Sequence, residues 1–442
     1  MPVDPASPFT LDPAGLPAEP DALIGVAISG GADSFALLDQ LHRAGRKILA
    51  LTVDHGLRSE STAEAAVVAA FCASRSIDHR TLVWEAEKPK TGVLSAAREA
   101  RYRLLIKACS DAGIDWLVTA HTRDDQAETV MMRLRRGSGA GLAGMRVTER
   151  VAAGAGRPIT LGRPLLTTAR RSDTQLYAQA RSLPVQSDPS NLDEKYERIG
   201  IRGLLAGLDV QGILHVEALE RSAQAIAALA GADDRLTQRD GEAAGWMIGP
   251  DAVLRIAHPE RAEDLPRLIA RAMEIVVGRG PVPADFVTED RLSAGRFTGQ
   301  GAEVILNDDG CTVLREPAAL LGRADLERTV WTRPVTPEPF VFDNRFRLVG
   351  EANVPDGSRW AIIGQCFPVE FVKDHVERRV ISTMPCIISE KGVLTHVPTG
   401  CDTIVLSALQ SWRGAAETLS ELELCDADIL LSERFKPRVI RY

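Results

Sequence analysis

The sequence is short of three features, and each shortage excludes a class of protein. Its seven cysteines form no C-x-x-C pair and are odd in number, which argues against a zinc site, an iron–sulfur cluster or a disulfide framework. No apolar run approaches the ~18 residues of a membrane span. Residues 1–21 hold prolines and aspartates where a signal peptide has an apolar core. We therefore expect a cytoplasmic protein with reduced thiols and no membrane contact.

The bulk composition predicts a folded chain of several domains. The 442 residues are 45% hydrophobic and 25% charged, which is more than one ordinary core needs and is typical of globular proteins. The net charge is −8, yet residues 98–202 carry an excess of six basic side chains, which leaves −14 for the remainder. This asymmetry indicates either a face that binds a polyanion or an ordinary solvated surface, and charge alone does not decide between them.

Strand and helix patterns alternate through the first half of the chain. Apolar segments at 23–29, 47–54, 80–84 and 115–120 have strand character, and the segments between them have helical character. This alternation predicts an α/β fold with a doubly wound parallel sheet, whose ligands bind beyond the carboxyl ends of the strands. We predict four regions: an N-terminal tail (1–21), a catalytic domain (22–210), a helical middle domain (211–290) and a mixed or β-rich C-terminal region (291–442). Within the last region, residues 304–315 predict a hairpin around Asp309-Gly310.

A glycine bend directly follows the first predicted strand. Its residues are Ser29, Gly30, Gly31, Ala32, Asp33 and Ser34, and a predicted helix begins within them. Glycines let backbone N–H groups approach an anion, the serine hydroxyls can donate further hydrogen bonds, and the helix N-terminus favours negative charge. A carboxylate beside phosphates requires a cation between them, so Asp33 is predicted to bind Mg²⁺. The alternative is that Asp33 only caps the helix.

An acidic cluster follows the fourth predicted strand. On a helix that begins near Asp124, the carboxylates of Asp124, Asp125 and Glu128 lie close together, and like charges at that spacing repel. Their number exceeds what helix capping requires, so we predict a cation at this edge of the sheet, either Mg²⁺ or a substrate ammonium group. The alternative is a solvated helix start with His121 buried in the core.

These two motifs resemble those of a known family. The glycine bend resembles the pyrophosphatase loop of N-type ATP pyrophosphatases, and residues 121–145 resemble the signature of tRNA(Ile)-lysidine synthetases. Further matching segments are 53–58, 97–102, 163–166, 188–193, 196–198 and 201–202. The likeness covers residues 23–202 and has two departures: Thr122 stands where a histidine is frequent, and Ile199 stands where an asparagine is common.

The resemblance implies a PP-loop, Rossmann-like ATP-binding domain and a ligase. The implied reaction joins free lysine to carbon 2 of the wobble cytidine in CAU-anticodon tRNA(Ile), through an adenylated tRNA, with release of AMP and pyrophosphate. The glycine bend would hold ATP and Mg²⁺, with Asp33, Asp125, Glu128 and Arg198 as catalytic residues. The residues implied for lysine or tRNA are His121, Asp124, Asp125, Glu128, Arg101, Arg133, Arg136 and Arg202.

Three alternatives stay open beside this interpretation. A tRNA thiolase of the same loop family usually needs a reactive cysteine pair or cluster ligands, which the cysteine spacing disfavours. A small-molecule amidating synthetase would not need the basic middle segment. A non-catalytic ATP-binding module would leave Asp33 and the acidic cluster without a purpose. The sequence also leaves a homodimer open.

Overall fold

The computed structural model describes most of the first half of the chain and parts of the second. The described residues are 7–56, 61–85, 92–137, 140–152, 157–186, 197–249, 251–278, 282–283, 285–321, 332–336, 340–343, 346–348, 354, 356–365, 376–390, 394–398, 423–425, 427–429 and 439–441. The chain divides into two compact units, one of residues 1–232 with 438–442 and the other of residues 233–437. Within these ranges, none of the helices is long and apolar enough to cross a membrane.

A seven-stranded sheet forms the centre of the first unit. Its strands are β1 (Ile24–Ala27), β2 (Ile48–Asp54), β3 (Asp78–Val83), β4 (Trp116–Val118), β5 (Thr148–Ala152), β6 (Ile159–Gly162) and the last strand of the chain, β20 (Val439–Arg441). They are ordered β20-β5-β6-β4-β1-β2-β3. Strands β1, β2, β3, β4 and β6 run parallel, whereas β5 is antiparallel to β6. The predicted α/β fold with a mainly parallel sheet is confirmed.

Helices cover both faces of this sheet. The helices of the first unit are α1 (Ala32–Arg43), α2 (Ser61–Ser74), α3 (Val93–Asp111), α4 (Arg123–Arg135), α5 (Arg171–Ala180), α6 (Glu197–Val210) and α7 (Val216–Ala243), the last of which continues into the second unit. Ile48 and Ala50 join an apolar cluster with α1 and α5, whereas Leu49 and Leu51 join a separate cluster with α3. Successive side chains of a strand point to opposite faces, so the two clusters lie on opposite sides of the sheet.

The carboxyl ends of the parallel strands meet at one edge of the sheet. Strand β1 lies between β2 and β4, with Val26 opposite Ala50 and Val118. The glycine bend follows β1, and His121 follows β4. Segments far apart in the chain therefore converge at this edge, as expected for such sheets.

The predicted N-terminal tail packs on the first unit from residue 7 onward. Phe9 and Leu16 are buried in the cluster that contains α1 and α5. The Asp12 N–H donates to the Pro164 carbonyl at 2.8 Å, and the Thr167 hydroxyl donates to the Asp12 carboxylate at 2.7 Å. Residues 7–21 thus help to fix the turn that follows β6.

The second unit combines mainly antiparallel strands with helices. Its helices are α8 (Leu265–Val277), α9 (Glu289–Ser293), α10 (Ala318–Leu321) and α11 (Val376–Ile381). Its strands are β7 (Trp246–Ile248), β8 (Leu254–Ile256), β9 (Arg296–Gly299), β10 (Ala302–Asn307), β11 (Gly310–Arg315), β12 (Arg333–Pro334), β13 (Phe340–Phe342), β14 (Phe346–Leu348), β15 (Arg359–Ile362), β16 (Pro385–Ile388), β17 (Leu394–Pro398), β18 (Glu423–Cys425) and β19 (Ala427–Ile429). The sheets are β7-β8-β11-β10-β9, β12-β15-β16-β17-β18 and β13-β14-β19. Among the described residues of this unit, β17 and β18 form the one parallel pair.

Two sequence expectations for the second unit have different outcomes. The predicted hairpin over residues 304–315 is confirmed, since β10 and β11 pair antiparallel with Asn307 opposite Gly310. The region 211–290, predicted as helical, also contains the three-residue strands β7 and β8. Strands so short show no periodicity of their own, and β8 is fixed by pairing with the distant β11. The predicted domain boundaries stay predictions.

Candidate active site

The glycine bend forms a compact loop between β1 and α1. Gly30 has φ +85°, a conformation that favours glycine. The Ser34 hydroxyl donates to the Gly31 carbonyl at 2.9 Å and accepts the Ser29 N–H at 3.3 Å. Across the loop, the Gln186 N–H donates to the Gly30 carbonyl at 2.9 Å. The loop is thus held in one shape at the N-terminus of α1, which suits an anion.

Asp33 lies in the first turn of α1 and contacts α5. Its carboxylate accepts a hydrogen bond from the Thr174 hydroxyl on α5. Burial raises the pKa of Asp33 to about 6, and the nearby Asp125 and Asp124 carboxylates add to the rise, against the Thr174 hydrogen bond and the Arg171 charge. A partly desolvated carboxylate among other carboxylates is stabilised by a cation.

The acidic residues lie in the first turns of α4, whose start is fixed by a reciprocal cap. The Asp125 carboxylate accepts the Thr122 N–H at 2.8 Å and the Thr122 hydroxyl at 3.1 Å. Thr122, the first departure from the family signature, is therefore the buried N-cap of the acidic helix. Its backbone N–H and its hydroxyl both donate to Asp125, so the Asp125 carboxylate satisfies a backbone donor that a helix start leaves open.

Asp125 and Glu128 already have arginine partners within the chain. Arg171 donates to Asp125 at 3.0 Å and to Glu128 at 3.1 Å, and Arg198 contacts the same two carboxylates at 2.8 and 2.5 Å. Arg202 donates to Glu128 at 2.8 Å. Glu128 is only 1% exposed. The sequence predicts that these acids face a cation, either Mg²⁺ or a substrate ammonium group. In this structure they face guanidinium groups, because α5 and α6 fold over α4.

Asp124 points to a second part of the same ion-pair network. It accepts the Arg171 N–H at 2.7 Å, and the Arg170 guanidinium lies 3.2 Å away. Arg170 also contacts Asp209 at 3.0 Å and Glu217 at 3.1 Å. Arg170 and Arg171 are site residues that the sequence did not predict. The available signal was a dibasic pair at the start of a helical pattern, which by itself is common.

His121 occupies a strongly cationic part of the site. The Thr119 hydroxyl lies 2.9 Å from its Nδ1 atom. Burial lowers the pKa of His121 well below its ordinary value, and the nearby charges of Arg163, Arg98 and Arg101 lower it further. The imidazole is therefore neutral and can orient a ligand by hydrogen bonding. Arg101, assigned to substrate by the resemblance, lies within electrostatic range of His121 and also of His55 after β2.

The glycine-rich turn after α4 is held by the helix itself. The Arg133 guanidinium donates to the Gly141 and Gly144 carbonyls at 2.7 and 2.8 Å. The Gln126 amide exchanges two hydrogen bonds with the Met145 backbone, at 2.9 and 2.7 Å. Arg133, which the sequence analysis assigned to substrate, therefore donates to its own chain. These two hydrogen bonds hold the backbone of the turn against α4.

Arg135 and Arg136 lie at the end of α4 with most of their surface in solvent. Their side chains are 69% and 64% exposed. Both contact Glu197 at the start of α6, at 3.4 and 2.6 Å. Exposed pairs of this kind contribute little stability. Both guanidinium groups are therefore accessible to another anion.

The first turn of α5 contacts both the glycine bend and the acidic helix. Thr174 contacts Asp33, while Arg171 contacts Asp124, Asp125 and Glu128. The glycine bend and the acidic helix therefore lie on one edge of the sheet. Segments 57–58, 138–139 and 188–193 of the family-like motifs, with Tyr196, lie outside the described residues. Among the described residues, no group of three or more His, Cys, Asp or Glu side chains is arranged to hold a metal ion.

Comparison with known proteins identifies the same region. The sequence profile of the PP-loop domain family matches residues 13–207. A tRNA(Ile)-lysidine synthase from a Bradyrhizobium strain is 39% identical over 308 residues, which cover 63% of this chain and 82% of the relative. A tRNA(Ile)-lysidine synthase from Rhodopseudomonas palustris is 41% identical over 271 residues, which cover 58% of this chain and 75% of the relative.

Similarity to solved structures is weaker. A U34-tRNA thiolase from Methanococcus maripaludis aligns over 48% of this chain and 74% of its own, with a TM-score of 0.41 and 18% sequence identity. Similarity at this level supports no inference about function.

Proposed function

This chain belongs to the tRNA(Ile)-lysidine synthase family, and from that membership we propose that it ligates lysine to the wobble cytidine of CAU-anticodon tRNA(Ile). ATP would first adenylate carbon 2 of the base, with release of pyrophosphate. The amine of lysine would then displace AMP. Both steps need a phosphate site and a cation site near each other. The reaction would take place in the cytoplasm, because that compartment holds the substrates.

The glycine bend is the proposed phosphate site. Its backbone N–H groups and the start of α1 offer hydrogen bonds and a positive dipole to the phosphates of ATP. Asp33 fits a Mg²⁺ ion, because its carboxylate is partly buried and is raised in pKa to about 6 by burial and by neighbouring acids. Asp33 would hold the ion together with phosphate oxygens. Mg²⁺ would neutralise charge on the phosphates.

The acidic helix is the proposed lysine site. Asp125 and Glu128 would bind the lysine ammonium group, with one of them accepting a proton as the amine attacks. Both carboxylates are paired with arginines, so the lysine ammonium group would compete with these guanidinium groups. His121 and Asp124 would orient the amine or the base, and Arg198 would stabilise charge on the adenylate.

The tRNA would lie along the basic part of the first unit. Arg135 and Arg136 offer exposed guanidinium groups beside the glycine-rich turn. Contacts of this type bind phosphates without reading sequence. The wobble base would have to leave its stack to reach the nucleotide. Whether two copies associate as a homodimer is a separate proposal, which mass measurement of the free protein would test.

One observation gives this proposal its main support. The first turn of α5 contacts Asp33 through Thr174 and the acidic residues through Arg171. A nucleotide at the glycine bend and an amine at α4 would therefore be close enough to react on one tRNA base. A non-catalytic ATP-binding module would have no need of the second site.

The reaction can be tested in two steps with two variants. The chain is incubated with ATP, Mg²⁺, labelled lysine and a CAU-anticodon tRNA, and label in RNA and pyrophosphate release are measured. We expect Asp33→Asn to lose pyrophosphate release, because the nucleotide step needs its carboxylate. We expect Glu128→Gln to retain pyrophosphate release and to lose label in RNA.

Two controls make this experiment decisive. Omitting tRNA should abolish pyrophosphate release, whereas release without tRNA would favour a small-molecule synthetase. Glu128 is buried under arginines, so Glu128→Gln must first show a cooperative thermal transition. Full lysine incorporation by both variants would refute the assigned roles.

A further inference from the structure

The carboxylates of the proposed lysine site are already paired with arginines. Two carboxylates, Asp125 and Glu128, contact three guanidinium groups, those of Arg171, Arg198 and Arg202. A substrate ammonium group that approached Glu128 would therefore compete with guanidinium groups that already contact it. The inference rests on the proposed function and concerns which arginine leaves Glu128 when the lysine ammonium group binds.

Arg171 is fixed in place by its helix. Its backbone N–H donates to Asp124 at 2.7 Å, so the residue is held at two points of α4. One turn further along α5, Thr174 is fully buried against Asp33, and Tyr177 and Ala178 lie in the core of the first unit. Its guanidinium contacts both Asp125 and Glu128 and its side chain is only 20% exposed, so releasing it would break two ion pairs at once.

Arg202 is held much more weakly. Among the described residues its guanidinium contacts Glu128 alone, at 2.8 Å, and its side chain is 35% exposed. Arg198, by contrast, contacts both carboxylates. Arg202 can therefore swing into solvent by rotation of its own side chain, with the loss of a single ion pair.

The helix that carries Arg202 contains three glycines. Gly200, Gly203 and Gly207 lie on α6 at spacings of three and four residues, and a Cβ atom added to any of them would meet no described atom within 4 Å. These glycines are not required by close packing in the described structure. Glycine inside a helix lowers its stability, so α6 relies on its packing against α4, where Ile201 and Leu205 form an apolar cluster with Ala127.

We propose that Arg202 is an exchangeable counter-ion that occupies the position of the lysine ammonium group at Glu128. When lysine arrives, its ammonium group takes over Glu128, and the released guanidinium binds a phosphate group of the second substrate. The ion pair between Arg202 and Glu128 is thus replaced by two others. Glu128 pairs with the lysine ammonium group, and Arg202 pairs with a phosphate group. Binding of the amine and binding of the phosphate ligand therefore favour each other, and by linkage the effect is reciprocal.

The test measures lysine binding to the full chain by calorimetry, without turnover. L-lysine is titrated alone, with inorganic pyrophosphate, and with an anticodon stem-loop RNA, so that the two sources of phosphate are separated. For the unaltered chain we expect at least one of these anions to raise lysine affinity about fivefold or more. For Arg202→Gln we expect the affinity without anion to rise by a similar factor and the anion to have no further effect.

Two variants control this test. Arg202→Lys keeps a cation at the position and should retain the anion effect, which a purely structural role would not predict. Arg157→Gln removes an exposed arginine paired with Asp115 and should behave as the unaltered chain. Thermal unfolding of each variant checks that it is folded.

The outcomes separate this inference from the proposed function. If Arg202→Gln weakens lysine binding, or if the anion effect persists in that variant or is missing from the unaltered chain, the counter-ion proposal is wrong while the lysine site stands. If lysine fails to bind the unaltered chain, or binds Glu128→Gln equally well, the proposed lysine site is wrong and the counter-ion proposal fails with it.

Discussion

The Asp33 carboxylate shows how a single site residue can oppose folding. Burial and the carboxylates of Asp125 and Asp124 raise its pKa to about 6, above the ordinary value near 4. Between these two pH values, the folded protein holds a proton on Asp33 that the unfolded chain has released. Stability attributable to this residue therefore falls as the pH rises through that interval, and the full cost is present above it.

Replacing the charge should stabilise the protein. We predict that Asp33→Asn raises the free energy of unfolding of the first unit by about 1–3 kcal/mol at pH 7.5, since the cost of ionising a buried carboxyl is removed. An asparagine oxygen can still accept the Thr174 hydroxyl. Urea unfolding followed by circular dichroism measures the change.

The pH dependence serves as the control. At pH 4 the folded protein carries a protonated Asp33, so the two proteins should differ by much less than at pH 7.5. A variant that is less stable than the unaltered chain at pH 7.5 would contradict the origin assigned to this pKa shift. Asp33→Asn should also lack pyrophosphate release. The predicted gain in stability would therefore accompany a loss of function.

On the scale of secondary structure, α4 is the element on which the site is assembled. Its N-terminus is closed by Thr122 and Asp125, and its buried side carries Glu128. Its far side holds the glycine-rich turn through Gln126 and Arg133. The same helix therefore fixes the acids and the adjacent turn relative to each other.

Two glycines that flank this turn allow a matched comparison. Gly137 and Gly144 have nearly equal φ values, +68° and +66°. A Cβ atom at Gly137 would meet no described atom within 4 Å, whereas one at Gly144 would lie 2.7 Å from the Gln126 amide. We predict that Gly137→Ala costs about 1–2 kcal/mol of stability from backbone strain. Gly144→Ala should cost about 2–4 kcal/mol, because it also displaces the hydrogen bonds to Met145.

Urea unfolding of the two variants gives the comparison directly. Equal losses would mean that Gln126 does not hold the turn in solution. The Gly144→Ala variant should also bind an anticodon stem-loop RNA less tightly than Gly137→Ala if the turn contributes to the RNA surface.

On the scale of the whole molecule, charge is separated along the chain. The sequence carries −8 overall and an excess of six basic residues over 98–202. In the structure, many of these bases pair with acids, as Arg171 does, while Arg135 and Arg136 stay exposed. The part available to an RNA backbone is therefore smaller than the sequence count suggests.

The salt dependence of tRNA binding should reveal which basic side chains are available to the RNA backbone. We predict that the double variant Arg135→Gln and Arg136→Gln reduces the slope of log affinity for CAU-anticodon tRNA against log salt concentration by about 1–2, since each lost phosphate contact contributes roughly one. Lys47→Gln is the matched control, because Lys47 is also exposed but precedes β2 at the opposite edge of the sheet. Equal slopes for all three proteins would exclude these arginines from the RNA interface.

The sequence by itself determined the features that depend on neighbouring residues. The strand, glycine bend and helix at residues 23–44 and the acidic start of α4 were predicted because backbone conformation and helical spacing act over a few residues. The short strands β7 and β8 and the position of residues 7–21 could not be predicted in this way, since pairing and packing with distant segments fix them.

Only the tertiary structure decided which charges neutralise each other. Glu128 pairs with Arg171, Arg198 and Arg202, which lie 43, 70 and 74 residues further along the chain. Electrostatic energy depends on distance through space and on burial, and neither is encoded in the spacing of residues along the sequence. The acids that sequence analysis assigned to a substrate cation are, for that reason, first of all partners of the protein's own arginines.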